Sequence, residues 1–210
     1  GAVNLPALYD DERAAVGTLY KQTSAFAARK AGAAIMSRNI AYHLNTFLQD
    51  KPAGFRPLVH CWRGGQRSRA FALVLSEIGW TTHRLEGGYK AYRRDVLDKI
   101  NSIPEQLQLI IIAGRTGSGK TALLQMLQQK QQQILDLEDL AAHRGSLLGQ
   151  MPGRPQPGQR LFESRLAHKL MQFDTGTPVF VESESSRIGN LQIPAPLWRI
   201  MTNMPLVTLD

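Results

Sequence analysis

This sequence is poor in thiols: Cys61 is its one cysteine in 210 residues. An internal disulfide is thereby excluded, and a reducing, cytoplasmic setting is the default for such a chain. No Cys/His cluster has zinc-ligand spacing, so no structural metal site is expected. No apolar run approaches the roughly 18 residues that a membrane-spanning helix needs. The start, GAVNLPALYDDERAAVG, lacks an initiator methionine and the basic-then-apolar pattern of a secretory signal. It enters directly into strand-like sequence, and the end, MPLVTLD, reads as a strand with nothing after it. The expectation is a fragment of a longer protein. Beyond two βα modules there is no internal repeat.

With 43% hydrophobic and 20% charged residues, the chain can build one large domain or two small ones. Its 25 Lys and Arg against 17 Asp and Glu leave a net charge of +8. That excess suits phosphate-bearing partners, nucleic acid above all, although arginine can also serve solubility alone.

Residues 55–99 alternate strand and helix signals. RPLVHC is a short apolar run between Pro57 and the glycines after Cys61, which predicts a buried strand. From Ser68, Ala70, Leu73, Val74 and Ile78 recur at helical spacing, and Gly79 stops the helix. TTHRLE predicts a strand, Gly87-Gly88 a turn and YKAYRRDVLDKI a second helix, giving βαβα and a parallel sheet. NSIPEQ, residues 101–106, is the linker candidate. Beyond it LQLIIIAG predicts a strand, KTALLQMLQQ a helix, QQILDL and TPVFVESE strands, and RLFESRLAHKLMQF an amphipathic helix. GQMPGRPQPGQ predicts an irregular loop. Ahead of all this, residues from about 10 to 50 form an Ala-rich helical insertion whose tyrosines and Met36 are expected to pack.

Cys61 to Arg67 spells Cys-x5-Arg across a strand end and a helix start. A thiol there meets backbone N–H groups with no intrahelical partner and the positive end of a helix dipole. Arg63, Arg67 and Arg69 add positive charge, and Gly64 and Gly65 let the backbone curl so that N–H groups converge on an anionic sulfur or selenium. Trp62 and Gln66 complete the loop. All of this favours thiolate. A lone cysteine is more commonly inert packing, but the combination of strand end, double glycine, arginines and helix start points to a working thiol.

The second motif is IIIAGRTGSGKTALL, with Gly114-x4-Gly119-Lys120-Thr121 between a predicted strand and a predicted helix. Thr116, Gly117, Ser118 and Gly119 would wrap a phosphate with their N–H groups, Lys120 would reach its terminal oxygens, and Thr121 would hold Mg²⁺. Asp136, Glu138, Asp139, Glu182 and Glu184 are candidate acids for the metal or its water, although any one of them is more commonly an ordinary solvated acid or a helix cap. His143 and Arg144, in AHRGSLLG, are candidate substrate contacts. Arg144, Arg154, Arg160 and Arg187 could position nucleic-acid phosphates.

HCWRGGQRS followed by LEGGYKAY resembles the active-site half of a rhodanese domain, and GAVNLP resembles the segment just before such a domain's central portion. In rhodaneses the cysteine carries sulfur as a persulfide. The resemblance implies an α/β architecture: a rhodanese-like parallel-sheet domain at residues 1–100, incomplete at its N-terminus, and a P-loop NTPase-like α/β domain at 107–210, incomplete at its C-terminus.

Over nearly its whole length the chain resembles the tRNA 2-selenouridine synthases. The matching stretches are YDDERAAVGTLYKQ, CWRGGQRS, LEGGYKA, GRTGSGKT, DLEDLAAHRGSLLG and VFVESESSRIG. That resemblance implies modification of wobble 2-thiouridine in tRNA. The 2-thio group is first alkylated with geranyl diphosphate, and the S-geranyl group is then replaced by selenium from selenophosphate. Cys61 would handle the selenium, a perselenide being one form it can take, and the phosphate loop would hold a diphosphate or related group. No tightly bound cofactor is implied beyond Mg²⁺ at Thr121. Two other readings fit the motifs: a P-loop ATPase or kinase coupled to a rhodanese-type sulfurtransferase, and a redox sensor that binds nucleotide without turnover. Nucleotide hydrolysis without tRNA marks the first, and a thiol dispensable for tRNA selenation marks the second.

Overall fold

The computed structural model describes residues 2–115, 118–144, 149 and 151–209. The chain forms two compact units, residues 1–92 and 93–210. No helix among the described residues is long and apolar enough to cross a membrane.

The N-terminal unit opens with a helical hairpin, α1 (Asp10–Gln22) and α2 (Ala25–Leu44). Asp10, Asp11 and Glu12 fill the first turn of α1, where carboxylates complement the helix dipole, and the Tyr9 N–H donates to Glu12 at 2.9 Å. The single helical stretch suggested by the sequence breaks at Thr23–Ser24. Ser24 takes an extended backbone and caps α2 by accepting from the Ala27 N–H at 3.0 Å. The tyrosines do not pack as expected: α1 buries no residue, and Tyr9, Tyr20 and Tyr42 are 41%, 60% and 58% exposed. Met36 does pack, against a core of Ala7, Ile40, Leu48, Phe71, Leu75 and Trp80.

The predicted strands of this unit are much shorter than RPLVHC and TTHRLE. β1 (Leu58–Val59) and β2 (His83–Arg84) pair in parallel, Leu58 opposite His83, with α3 (Gln66–Glu77) between them in the chain. α3 starts two residues before Ser68, and Gly79, at φ 103°, carries the chain out of it.

The unit boundary lies inside α4 (Gly88–Ser102), whose Val96 and Ile100 belong to the C-terminal core. Residues 101–106 are therefore not an open linker: α4 runs to Ser102, and a 3-10 turn over Pro104–Gln106 buries Pro104. Proline at the first position of a helical turn has no N–H to lose and its φ is already set, so this proline starts structure.

The C-terminal unit is a four-stranded, all-parallel sheet of β3 (Leu109–Gly114), β4 (Gln133–Leu135), β5 (Val179–Glu182) and β8 (Leu206–Leu209), in the order β4-β5-β3-β8. β6 (Arg187–Ile188) and β7 (Leu191–Gln192) make a separate antiparallel pair. Helices α5 (Lys120–Gln129), α6 (Leu137–Ala141), α7 (Gln159–Leu170) and α8 (Ala195–Met201) complete the unit. Fully buried Leu135, Phe162, Leu166, Leu170, Val179, Val181 and Leu197 form its core, which explains why the strands read as continuous apolar runs. The chain leaves β3 toward β4 on one side and β8 pairs on the other. Such a reversal of strand order opens a crevice at the carboxyl ends of the strands, and β3 ends there at Gly114 and β5 at Glu182.

Leu166→Ala, in the centre of this core, should cost the C-terminal unit about 2–5 kcal/mol, read as a lower midpoint in urea denaturation followed by circular dichroism.

Candidate functional site

Cys61 lies just past β1, five residues before α3 begins. The Ser68 hydroxyl is 3.3 Å from Sγ. Burial pushes the thiol up, but hydrogen bonding between Cys61 and the Ser68 side chain, together with the backbone N–H groups of Ser68, Arg63 and Gly65, outweighs it and brings Cys61 down to about 7. The arginine side chains are not among these causes: Arg67 is half-buried beside the thiol loop, and Arg63 and Arg69 are exposed. Backbone donors and one hydroxyl, more than guanidinium charge, thus favour the thiolate. Ser68, 2% exposed, was not singled out from sequence, yet it sits within the Cys61–Arg69 run and only the first turn of α3 brings it back to the sulfur.

The loop is held from behind by the Gly87-Gly88 turn. The Tyr89 and Lys90 N–H groups donate to the carbonyls of Cys61 and Trp62, both at 2.9 Å. Gly64, Gly87 and Gly88 have φ of 65°, 65° and 63°. A Cβ on Gly88 would overlap the Cys61 carbonyl oxygen and the Gly64 nitrogen, so Gly88 is required by close approach as well as by conformation. The two stretches HCWRGGQRS and LEGGYKAY therefore form one structure.

In the C-terminal unit, Thr116 and Gly117 lie outside the described residues. Of the rest of the glycine-rich loop, Gly119 adopts φ 88° directly before α5, a left-handed geometry that glycine takes without strain. The Ser118 hydroxyl is buried with no partner among the described residues, and a Cβ on Gly114 would press on it. A buried hydroxyl without a partner at a helix start suits an anion that accepts from it. Lys120 Nζ donates to the Gly114 and Arg115 carbonyls at 3.0 and 3.2 Å and lies 3.8 Å from Glu182 Oε1, so its ammonium is fixed at the loop.

Opposite the lysine, carboxylate oxygens of Glu138, Glu182 and Glu184 lie within 4.8 Å of one another. Thr121 Oγ1 is 3.5 Å from Glu182 Oε2. Burial first, then the negative charge of Glu138, raises Glu182; the same causes, joined by Glu182 itself, push Glu184 up to about 7. These hard oxygen donors are the kind that hold Mg²⁺. Asp136 is not among the three converging carboxylates; its side chain caps α6 by accepting from the Asp139 N–H at 2.8 Å. Asp139 in turn pairs with Arg154 at 2.6 Å. His143 is buried against the β6–β7 turn at Gly189, its Nδ1 without a partner among the described residues, while Arg144, Arg160 and Arg187 are exposed.

Residues 107–210 match the family model described as the tRNA 2-selenouridine synthase AAA domain. The whole chain aligns with proteins named tRNA 2-selenouridine synthase: 37% identical to that of Nitrosomonas europaea, covering 55% of it; 39% to that of Aeromonas salmonicida, covering 56%; and 38% to that of Hahella chejuensis, covering 55%. The chain thus spans about half the length of the curated relatives it matches.

Two outcomes follow from this geometry. Ser68→Ala should raise the pH midpoint of Cys61 alkylation by iodoacetamide by about one unit or more, since a hydrogen bond to a charged group is worth about 1.5–3 kcal/mol. Glu184 titrates ordinarily at 4.5 and is raised to about 7 in the fold. The folded state therefore holds the extra proton across that window, and stability falls as pH rises through it. Glu184→Gln should raise the thermal midpoint at pH 8, and the gain should vanish near pH 4.

Proposed function

We propose, because this chain belongs to the tRNA 2-selenouridine synthase family, that it carries the two chemical halves of replacing sulfur by selenium at wobble 2-thiouridine. The observation that carries the reading is the geometry of the Cys61 cradle: Ser68 lies 3.3 Å from the sulfur, the Gly87-Gly88 turn fastens the loop from behind, and the thiol is held below its ordinary range. In this reading the N-terminal unit is rhodanese-like and handles selenium at Cys61. A site built to favour one anionic chalcogen suits its heavier neighbour, because N–H groups and a hydroxyl stabilise the negative charge in either case.

The C-terminal unit serves the first step. The 2-thio sulfur attacks C1 of geranyl diphosphate, the carbon–oxygen bond breaks, diphosphate leaves with the bonding pair, and N3 of the base loses its proton. The N–H groups of the loop before α5, the Ser118 hydroxyl and Lys120 would receive the diphosphate's developing charge. Mg²⁺, held by Thr121 with Glu138, Glu182 and Glu184, would supply further positive charge there.

Alkylation makes sulfur a better leaving group, which is what the second step needs. The Cys61 thiolate would attack the phosphorus of selenophosphate, and the P–Se bond would break. Water would then take that phosphorus as phosphate and free the thiolate. The departing selenium takes a proton from water and leaves as hydrogen selenide anion. It adds to C2 of the base, its proton passing to N3, and the C2–S bond breaks. The geranylthiolate then takes a proton from water. The RNA partner accords with the net charge of +8 and with exposed Arg144, Arg160 and Arg187.

Lys120→Ala in the full chain should slow S-geranylation of a 2-thiouridine anticodon stem-loop about a hundredfold or more, followed by mass spectrometry of the nucleosides. An unchanged rate would show that this loop grips something else.

A further inference from the structure

Trp62 stands next to the thiol and takes no part in the core. Its side chain is 47% exposed and, with Cys61, lines a cavity of about 810 Å³ in the N-terminal unit. A lone exposed aromatic would call for no explanation, but this one is held in place. The Tyr89 N–H donates to the Cys61 carbonyl and the Lys90 N–H to the Trp62 carbonyl, which brings the loop against the first turn of α4. The Trp62 and Tyr89 ring centroids are 5.5 Å apart with 32° between their planes, and Tyr92, one turn on, follows at 6.0 Å. Such contacts restrict the indole to few orientations, so a ligand that stacks on it meets a surface already set.

The charge around the ring is of one sign. Arg29, Arg63 and Arg67 line the cavity, and no carboxylate among the described residues lines it. None of these three arginines is in an ion pair among the described residues. An open π face beside unpaired cations fits an unpaired nucleotide, whose base stacks and whose phosphates are anionic.

We infer that Trp62 is the platform on which the wobble base lies flat beside Cys61, with Arg29, Arg63 and Arg67 taking the phosphates that flank it. The inference rests on the RNA substrate and the selenium role proposed above. Selenium freed at Cys61 must add to C2 of the base, and addition to a ring carbon comes through the face of the ring. The base must therefore be held by one face and left open at the other. An indole backed by a tyrosine and open to the cavity meets that need, whereas a slot closed on both faces would not. The wobble base is unpaired in the anticodon loop, so laying it on the indole breaks no base pair. Stacking uses the ring face and not the group at C2, so one platform serves the base before and after replacement.

The test uses the full chain and two anticodon stem-loops that differ only at the wobble position, one carrying 2-thiouridine and the other abasic. Loss of the base should weaken binding to the parent protein about tenfold or more, as expected for one base stacked on an aromatic ring. Trp62→Phe should keep most of that penalty. Trp62→Leu, apolar but without a π face, should bind both RNAs equally. The pH midpoint of Cys61 alkylation should be the same in the parent and in Trp62→Leu, because the cradle uses the Trp62 carbonyl and not its ring. A shifted midpoint would make the ring part of the cradle and overturn the inference. Equal binding of both RNAs by the parent, or a penalty that Trp62→Leu retains, would overturn it as well. So would a sedimentation coefficient that falls in Trp62→Leu, which would assign the ring to a contact between copies of this chain. If the platform fell while the parent still bound the 2-thiouridine RNA and selenation still needed Cys61, the selenium reading would stand. If the parent bound neither RNA, the RNA reading and the platform would fall together.

Discussion

A short loop that runs from a strand end into a helix start can turn its backbone N–H groups toward one point, and this chain has such a loop at two places that matter. Before α3 the loop donors surround a sulfur supplied by the chain; before α5 the Ser118 hydroxyl is buried with no partner among the described residues, and Lys120 is fixed beside it. The same backbone geometry thus serves a soft anion in one unit and the requirements of a hard one in the other. The first cradle depends on four donors beating the burial of Cys61. Hydrogen bonds to a charged group are worth about 1.5–3 kcal/mol each, against a penalty limited by partial exposure.

Both cradles are held by glycine where no other residue would fit. Gly88 lets the turn after β2 press against the Cys61 carbonyl, and Tyr89 and Lys90 then fasten the loop through its carbonyls, leaving its N–H groups for the sulfur. The division of labour is clean: carbonyls outward to the supporting turn, N–H groups inward to the thiol. In the C-terminal unit the glutamate cluster sets the opposite sign beside the loop. Burial first, and then the negative charge of Glu138, raises Glu182 and Glu184 beside Lys120.

Much of both sites was legible because the constraints are local. Strand end, glycine pair and helix start lie within a few residues of Cys61, and Gly119 and Lys120 follow β3 with the spacing a phosphate loop needs. What escaped was set by tertiary placement. Ser68 reads as one hydroxyl among many until the turn of α3 brings it to the sulfur. Glu184 is readable as a candidate acid, but its raised proton affinity follows only from burial beside Glu138 and Glu182. Pro104 reads as a break, yet it starts a buried 3-10 turn at the end of a helix that extends from one unit into the next. The hairpin break at Ser24 follows a capping rule that was readable but was masked by the alanine-rich sequence around it. The exposed tyrosines of α1 and α2 show the limit of composition: nothing local says that a helix will cover a cavity instead of a core.

The cradled sulfur of Cys61 is central, as the proposed selenium site. The direct measurement is mass spectrometry of wobble nucleosides from cells whose gene carries Cys61→Ser in the full chain. The selenium role proposed for Cys61 predicts no 2-selenouridine and an accumulation of S-geranyl-2-thiouridine, because the proposed alkylation step does not use the thiol. Normal 2-selenouridine in those cells would contradict it.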